Sequence, residues 1–290
     1  MSLEIEHYLQ AAFREACELE LRAFKPGNVS IYSEGHDMTV EDFRRSAEAS
    51  APWVCSVSLS LGEKIYYSIE ATRAVVGCNT NLGIMLLAAP LLQAWYKREQ
   101  GETLRESLCK VLKSTTLADA EWVYRAIRLA RPGGLGETAE QDVRSSPGVN
   151  LLEAMRLAAN RDRIAWQYTN SFSDIFDLCI PSYDIWMSRW GKEDWAVMAI
   201  FVELLGQIPD SHMDRKFGAR FTRMVADRMA RIEQAFSVAD GPEQVMPLLR
   251  EADAEFKSYG INPGTTADIT VACLLTVRLE RLSELLSIHR

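Results

Sequence analysis

Apolar residues recur every three to four positions along most of the chain, the spacing that turns one face of an α-helix toward a core. In the first segment Ile5, Leu9, Ala12, Phe13, Ala16, Cys17, Glu20, Ala23 and Phe24 share such a face, and Glu20 alone of these is polar. A carboxylate in that stripe has two readings. It lies exposed at a misaligned helix end, or it lines a polar site inside a bundle with a partner or a shifted pKa. The periodicity then breaks over "KPGNVSIYSEGHDMT", residues 25–39. That stretch holds a lysine, a His-Asp pair and two glycines, more chemistry than a helix connection requires.

Thr39 followed by Asp42 predicts a capping box opening a second helix, with Phe43, Ala47, Ala51 and Val54 as its stripe. A third helix runs through Ile65, Ile69, Thr72 and Val76, and Tyr66, Glu70 and Arg73 line up on its neighbouring face. A fourth begins at "CNTNLG", with Asn79 or Thr80 as N-cap. The same spacing predicts helices over 102–113, 117–130, 149–160, 164–178, 182–190, 195–205, 215–236, 242–259 and 266–288. No β-alternation, hairpin signal or short-period repeat stands out. The fold class expected is all-α, a single multi-helix domain over residues 1–290. The polar segment 131–147, "RPGGLGETAEQDVRSSP", is long for a connection and reads as an active-site loop in preference to a domain boundary.

Charge narrows the partners. A net charge of −8 and a pI near 5.2 disfavour a nucleic-acid role, while leaving room for a local basic pocket for a phosphorylated small molecule. Six cysteines are scattered singly, with no C-x-x-C pair, and read as core residues in a reducing compartment. The opening "MSLEIEHYLQ" is acidic and unlike a signal peptide, and the most apolar segment, 82–95, is too short to span a bilayer. The expectation is a cytoplasmic protein with no membrane partner.

The His36-Asp37 pair raises the possibility of a metal-dependent phosphohydrolase of the HD type. That class needs an upstream histidine and a helical setting, and here only His7 precedes a pair flanked by a glycine and a cap. Four histidines in all make a multi-histidine metal site a poor fit. Asp37, Glu70, Glu140, Asp142, Asp210, Asp214 and Asp268 each lie near a turn or helix start. Oxygen-only sites of this kind suit Mg²⁺ beside substrate phosphates, although each carboxylate taken singly reads first as a cap or a solvated charge. "NPGTTADIT", 262–270, opens the last helix with a glycine and free N–H groups that could hold a phosphate. "PDSHMDRKFG", 209–218, adds Arg215 and Lys216. There is no Walker P-loop, dinucleotide fingerprint or nucleophile elbow.

Several stretches in order carry more than any alone: "KPGNVS…GHDMT…SAEA", "EAT…GCNTNLG", "EQDV", "PDSHMDRKFG" and "INPGTTADIT". Together, over about residues 15–285, they resemble the triphosphoribosyl-dephospho-coenzyme A synthase family, the ATP:dephospho-CoA triphosphoribosyltransferases. The resemblance implies an all-helical domain whose interhelical turns line a nucleotide cleft. It implies a reaction in which ATP loses adenine and its 5-triphosphoribosyl group passes to a hydroxyl of dephospho-CoA. The product is a prosthetic-group precursor, and Mg²⁺ accompanies the triphosphate.

By position in the matching motifs, Lys25, Arg73, Arg215 and Lys216 meet phosphate, and Gly27 permits close approach. Glu20 acts as base or charge stabiliser. Asp37 holds Mg²⁺ or orients a lysine, and Glu70 and Asn79 face the ribose. Asn28, His36, Asn81 and Asp268 complete the substrate-binding set, with Asp142 and Asp214 as further metal ligands. Asn81 stands where the family often carries histidine, and "PGNV" replaces "PGLV". The middle segment resembles a divergent branch associated with one-carbon and methanopterin-type cofactor pathways, which leaves a related cofactor open as acceptor. Two other readings compete. One is a Mg²⁺-dependent nucleotide phosphohydrolase or nucleosidase, and the other is a non-enzymatic helical module that binds a cofactor. A homodimer is the base-rate expectation.

Overall fold

Side chains that cap helix ends punctuate the chain wherever the periodicity stops. The structure, a computed structural model, describes residues 2–132 and 142–288. Helix α1 (Ser2–Arg22) leads into the polar turns, and Thr39 with Asp42 forms the expected capping box of α2 (Val40–Val54). Ser60 with Glu63, Thr103 with Glu106 and Thr116 with Asp119 do the same for α3 (Leu61–Val75), α5 (Leu104–Lys113) and α6 (Leu117–Ala130). Between them α4 (Leu82–Lys97) starts from Asn81. The chain continues through α7 (Leu151–Ala158), α8 (Arg163–Thr169), α9 (Ile180–Trp190) and α10 (Glu193–Gln207). It closes with α11 (Ser211–Phe217), α12 (Thr222–Val238), α13 (Met246–Ser258) and α14 (Gly264–Ile288). The described residues form no strand, so the fold is all-α.

Three of the expected helices are interrupted, each for a local reason. The segment 164–178 breaks after α8, where Ser171 and Phe172 take positive φ values of 52° and 54° and Phe172 drops into the core. The chain resumes as a π-helical turn, Asp174–Cys179, whose Asp174 is gripped by Arg163 at 2.7 Å and by Gln167. The segment 215–236 breaks at Gly218, which has φ +59°. The segment 242–259 opens as a 3₁₀ turn, Pro242–Val245, before α13. Of the long loop 131–147, residues 133–141 lie outside the described residues, and Glu140 among them.

Helices α4, α10 and α14 are apolar on nearly every side and form the centre. Helix α1 packs on α14 and α2, and α3 packs between α2 and α6. One continuous cluster of buried side chains fills the middle, with a small satellite of Leu21, Val29 and Val40 beneath the polar turns. Trp186 and Trp190 stack at 4.3 Å against Phe236 in that core. All six cysteines are free, four of them buried. No helix among the described residues is long and apolar enough to cross a membrane.

The end of α1 depends on one buried ion pair. Lys25 is 1% exposed and Glu20 5% exposed, so the reading of Glu20 as a frayed, exposed charge is excluded. The Lys25 ammonium donates to the carbonyls of Glu20 (2.6 Å), Ala23 (3.1 Å) and Val29 (3.0 Å) and lies 3.2 Å from Glu20 Oε1. It thereby neutralises the negative end of the α1 dipole and folds the next turn back over it. Replacing Lys25→Met removes one partner of a buried pair, and the expected loss is about 3–5 kcal/mol of unfolding free energy in urea titration. Adding Glu20→Gln should recover part of it. Unchanged stability with weakened nucleotide binding would instead mean that Lys25 faces the ligand.

Candidate active site

The polar turns and helix starts singled out in the sequence meet at one junction. The Lys-Pro-Gly-Asn turn packs on the turn before α14. Gly27, at φ +79°, donates its N–H to Asp253 (2.9 Å), and a Cβ there would lie 3.1 Å from Ile261 O, Phe256 Cβ and Pro263 Cδ. Asn28 Nδ2 reaches Asn262 Oδ1 at 2.9 Å. These two residues therefore lock two motif turns together. Lys25 spends its three donors inside its own turn, which leaves none for a phosphate. The phosphate role expected for it is corrected accordingly.

His36 and Asp37 occupy the centre of a tight turn, with φ of 59° and 57°, closed by Met38 N–H to Gly35 O at 3.2 Å. The turn aims the imidazole back, and its Nε2 donates to Gly27 O at 2.8 Å. Asp37 is exposed and has no hydrogen bond or ion pair among the described residues. The pair is not helical, as an HD-type metal site would require.

Asp210 staples two helix starts. Its Oδ1 accepts from the N–H groups of His212 (2.9 Å) and Met213 (3.0 Å), and its Oδ2 accepts from the N–H and hydroxyl of Thr266 (2.7 and 2.8 Å). Burial pushes this carboxyl upward, and the hydrogen bonds oppose that push. An internal carboxylate thus already takes the Thr266 N–H at the start of α14, and Gly264 N–H is bonded to Asn262 O, so two of the N–H groups expected to hold a phosphate at "NPGTTADIT" are engaged. Arg215 holds Asp162 at 2.7 Å, and Lys216 donates to Gly260 O at 3.2 Å. His212, beside Gly264, is driven down to about 4 by burial first and then by Arg215, Lys216 and His36, so it stays neutral at ordinary pH.

Asp268 is another carboxylate without a hydrogen-bond partner among the described residues. It projects from α14 against the start of α4, and a Cβ on Gly83 would collide with its carboxylate. Among the described residues it accepts no hydrogen bond, and it remains partly open to solvent. Burial, then the neighbouring charges of Asp210 and Glu20, push its pKa well above the ordinary range, with Arg215 pulling the other way. Asn81, 4% exposed, donates to Thr72 Oγ1 (2.9 Å), and its Oδ1 finds no donor among the described residues. Asn81 and Glu20 line one small cavity, walled by Cys17, Phe43, Ile84 and Val271.

The other expected residues have partners of their own. The N-cap of α4 is Asn81 and not Asn79 or Thr80, although Asn79 Oδ1 accepts from Leu82 N–H at 3.2 Å. Glu70 is exposed on α3 and accepts from Tyr66 at 3.0 Å, while Arg73 donates to Gly77 O; neither touches Glu20, Asn81 or Asp268. Asp142 pairs with Arg144 at 2.8 Å, and Asp214 accepts from Thr222 at 3.2 Å. No three His, Cys, Asp or Glu among the described residues are placed to hold a metal, so Asp37, Asp142 and Asp214 do not form one site. Sequence reading missed Gly83, His212 and Asp162. Gly83 closes the "CNTNLG" motif and His212 lies inside "PDSHMD", whereas Asp162, the N-cap of α8, belongs to none of the motifs.

These turns can be set beside known proteins. No curated protein matches the chain. A crystal structure from Archaeoglobus fulgidus, described as that of a proposed triphosphoribosyl-dephospho-coA synthase, shares the fold. Its TM-score is 0.61 at 21% identity, over 80% of this chain and 96% of that one. The profile of the CitG family, ATP:dephospho-CoA triphosphoribosyl transferase, matches residues 6–287. Because that match runs over nearly its whole length and through every turn of the junction, the chain belongs to the ATP:dephospho-CoA triphosphoribosyl transferase family.

Proposed function

We propose that the chain takes the 5-triphosphoribosyl group from ATP, releases adenine, and joins the anomeric carbon to a hydroxyl of dephospho-CoA or a related cofactor. The observation that carries this reading is the unpartnered Asp268 carboxylate, which feels the charge of Glu20, together with the orphaned Asn81 Oδ1 that shares a small cavity with Glu20. Breaking the ribosyl–adenine bond develops positive charge on the sugar, and negative groups fixed in place stabilise it. Glu20, held by Lys25, supplies a fixed negative charge near the ring. Asp268 takes the proton of the attacking hydroxyl as the new C–O bond forms. The departing adenine takes up a proton and leaves as the neutral base. A raised pKa makes the Asp268 carboxylate a stronger base than an ordinary one.

The triphosphate needs cations, and with Lys25 turned inward these are Arg215 and Lys216, each with N–H groups to spare. Mg²⁺ fits as a partner of the triphosphate in a limited sense. It commonly binds through one or two carboxylates and takes its other oxygens from phosphate and water. The free oxygens of Asp37 meet that need, whereas a cage built wholly of protein is not present among the described residues. When bound, Mg²⁺ would neutralise phosphate charge. ATP as the donor supports a cytoplasmic setting for the reaction.

Two outcomes test this reading. Incubation with ATP, Mg²⁺ and dephospho-CoA should release adenine, followed by chromatography, and the release should depend on dephospho-CoA. Release of inorganic phosphate in place of adenine would point to a phosphohydrolase. The Asp268→Asn variant should fold normally by circular dichroism and lose about 10²–10⁴-fold in kcat. In the parent, kcat should climb with pH through a pKa above the ordinary carboxylate value of about 4, because the base works only when deprotonated. That limb should vanish in the variant. A variant that keeps the same limb would remove Asp268 from the chemistry.

A further inference from the structure

The outer face of α3 and α6 carries a run of aromatic rings that the junction does not use. Trp53, at the end of α2, lies 5.3 Å from Tyr67, ring centre to ring centre, and Trp122 lies 5.6 Å from Tyr67 and 5.1 Å from Tyr66. The Arg125 guanidinium sits over two of these rings, 4.4 Å from Tyr66 and 4.1 Å from Trp122. Gly62 lets α6 come this close, since a Cβ there would lie 2.7 Å from the backbone of Asp119 and 2.9 Å from Trp122 Cβ. The cluster is not sealed. Trp53 is 42% exposed, Arg125 is exposed, and Tyr66, Tyr67 and Trp122 are half-buried. Trp, Tyr and Arg are the residues that carry most of the binding energy in protein interfaces.

Charge decides what covers this face. Glu121 stands one turn before Arg125 on α6, the spacing and order at which a glutamate and a following cation normally pair. Here they do not. Arg125 is drawn over the rings, and neither residue has an ion pair or side-chain hydrogen bond among the described residues. The face therefore presents one unmatched cation and one unmatched anion, about 6 Å apart along the helix. A uniformly acidic partner would be repelled by Glu121, and a uniformly basic one by Arg125. A second copy, turned about a two-fold axis between the two positions, meets neither obstacle. Each Arg125 then faces the other copy's Glu121, and the rings of both copies close over the middle. The rings already hold the guanidinium in place, so little side-chain freedom is lost on pairing.

We infer that this face is the interface between two copies of the chain, related by a two-fold axis beside α6. Arg125 of each copy pairs with Glu121 of the other, and the Trp53, Tyr67 and Trp122 rings are enclosed between them. The inference does not rest on the transfer reading.

The test is sedimentation velocity of the full chain over a range of concentrations. The parent should associate to twice the 32.7 kDa chain mass. Arg125→Glu places two glutamates on each face and Glu121→Arg places two arginines, so each variant alone should dissociate about ten-fold or more readily. Both positions are exposed, and circular dichroism checks that each variant folds. An equimolar mixture of the two variants should regain the dimer, because every glutamate then faces an arginine; a loss of structure at either position would not be repaired this way. Trp53→Ala should weaken association as well. A parent that stays at 32.7 kDa at every concentration overturns the inference. So does a dimer indifferent to these substitutions, or a mixture that recovers nothing.

Discussion

Burying an ammonium is costly unless every N–H is satisfied, and the turn after α1 is shaped by that requirement. Lys25 can enter the interior only because Glu20 and three carbonyls meet it there. The lysine in turn closes α1, folds residues 25–29 back, and puts Gly27 and Asn28 against the 256–263 segment. Glu20 gains a fixed position and a counter-charge. The same clamp therefore ends a helix, docks a turn and sets a carboxylate beside the junction.

The rest of the junction follows from helix ends that point inward. Such ends bring unpaired N–H groups into the protein, and each must find an acceptor. The Asp210 carboxylate accepts two of those of α11 and one of α14, and so ties the two starts together. Gly83 removes the side chain that would block α14, and Asp268 comes up against α4 with no hydrogen-bond partner among the described residues. Stability and reactivity are thus divided between neighbouring carboxylates. Asp210 has all its partners and holds two helices, and Asp268 accepts no hydrogen bond among the described residues, which is why the proposed function assigns it the proton transfer.

Most of the architecture was legible from periodicity, because helices with one apolar face announce themselves in any window of a few turns. The breaks at Phe172 and Gly218 were not. Phe172 fits the apolar stripe whichever way the backbone runs, and Gly218 reads as a tolerable helix interruption. At the site, Glu20 was visible as a polar residue in an apolar stripe and Asp268 as part of a motif. The inward turn of Lys25 was hidden, since a lysine beside Pro-Gly-Asn is read as solvent-facing until its carbonyl partners are seen. The dispersal of Asp37, Asp142 and Asp214 was hidden for a similar reason: proximity to turns says nothing about proximity to one another.

The central claim is that the sugar of the donor lies over Asp268 and Glu20 and that Lys25 plays no part in holding the triphosphate. A crystal structure of the Asp268→Asn variant with ATP and dephospho-CoA tests this directly. The account predicts the anomeric carbon beside the substituted side chain at position 268, with the acceptor hydroxyl about 3–3.5 Å from that carbon, and the Lys25 ammonium still bound to Glu20. A triphosphate contacting Lys25, with the ribose remote from position 268, would contradict it.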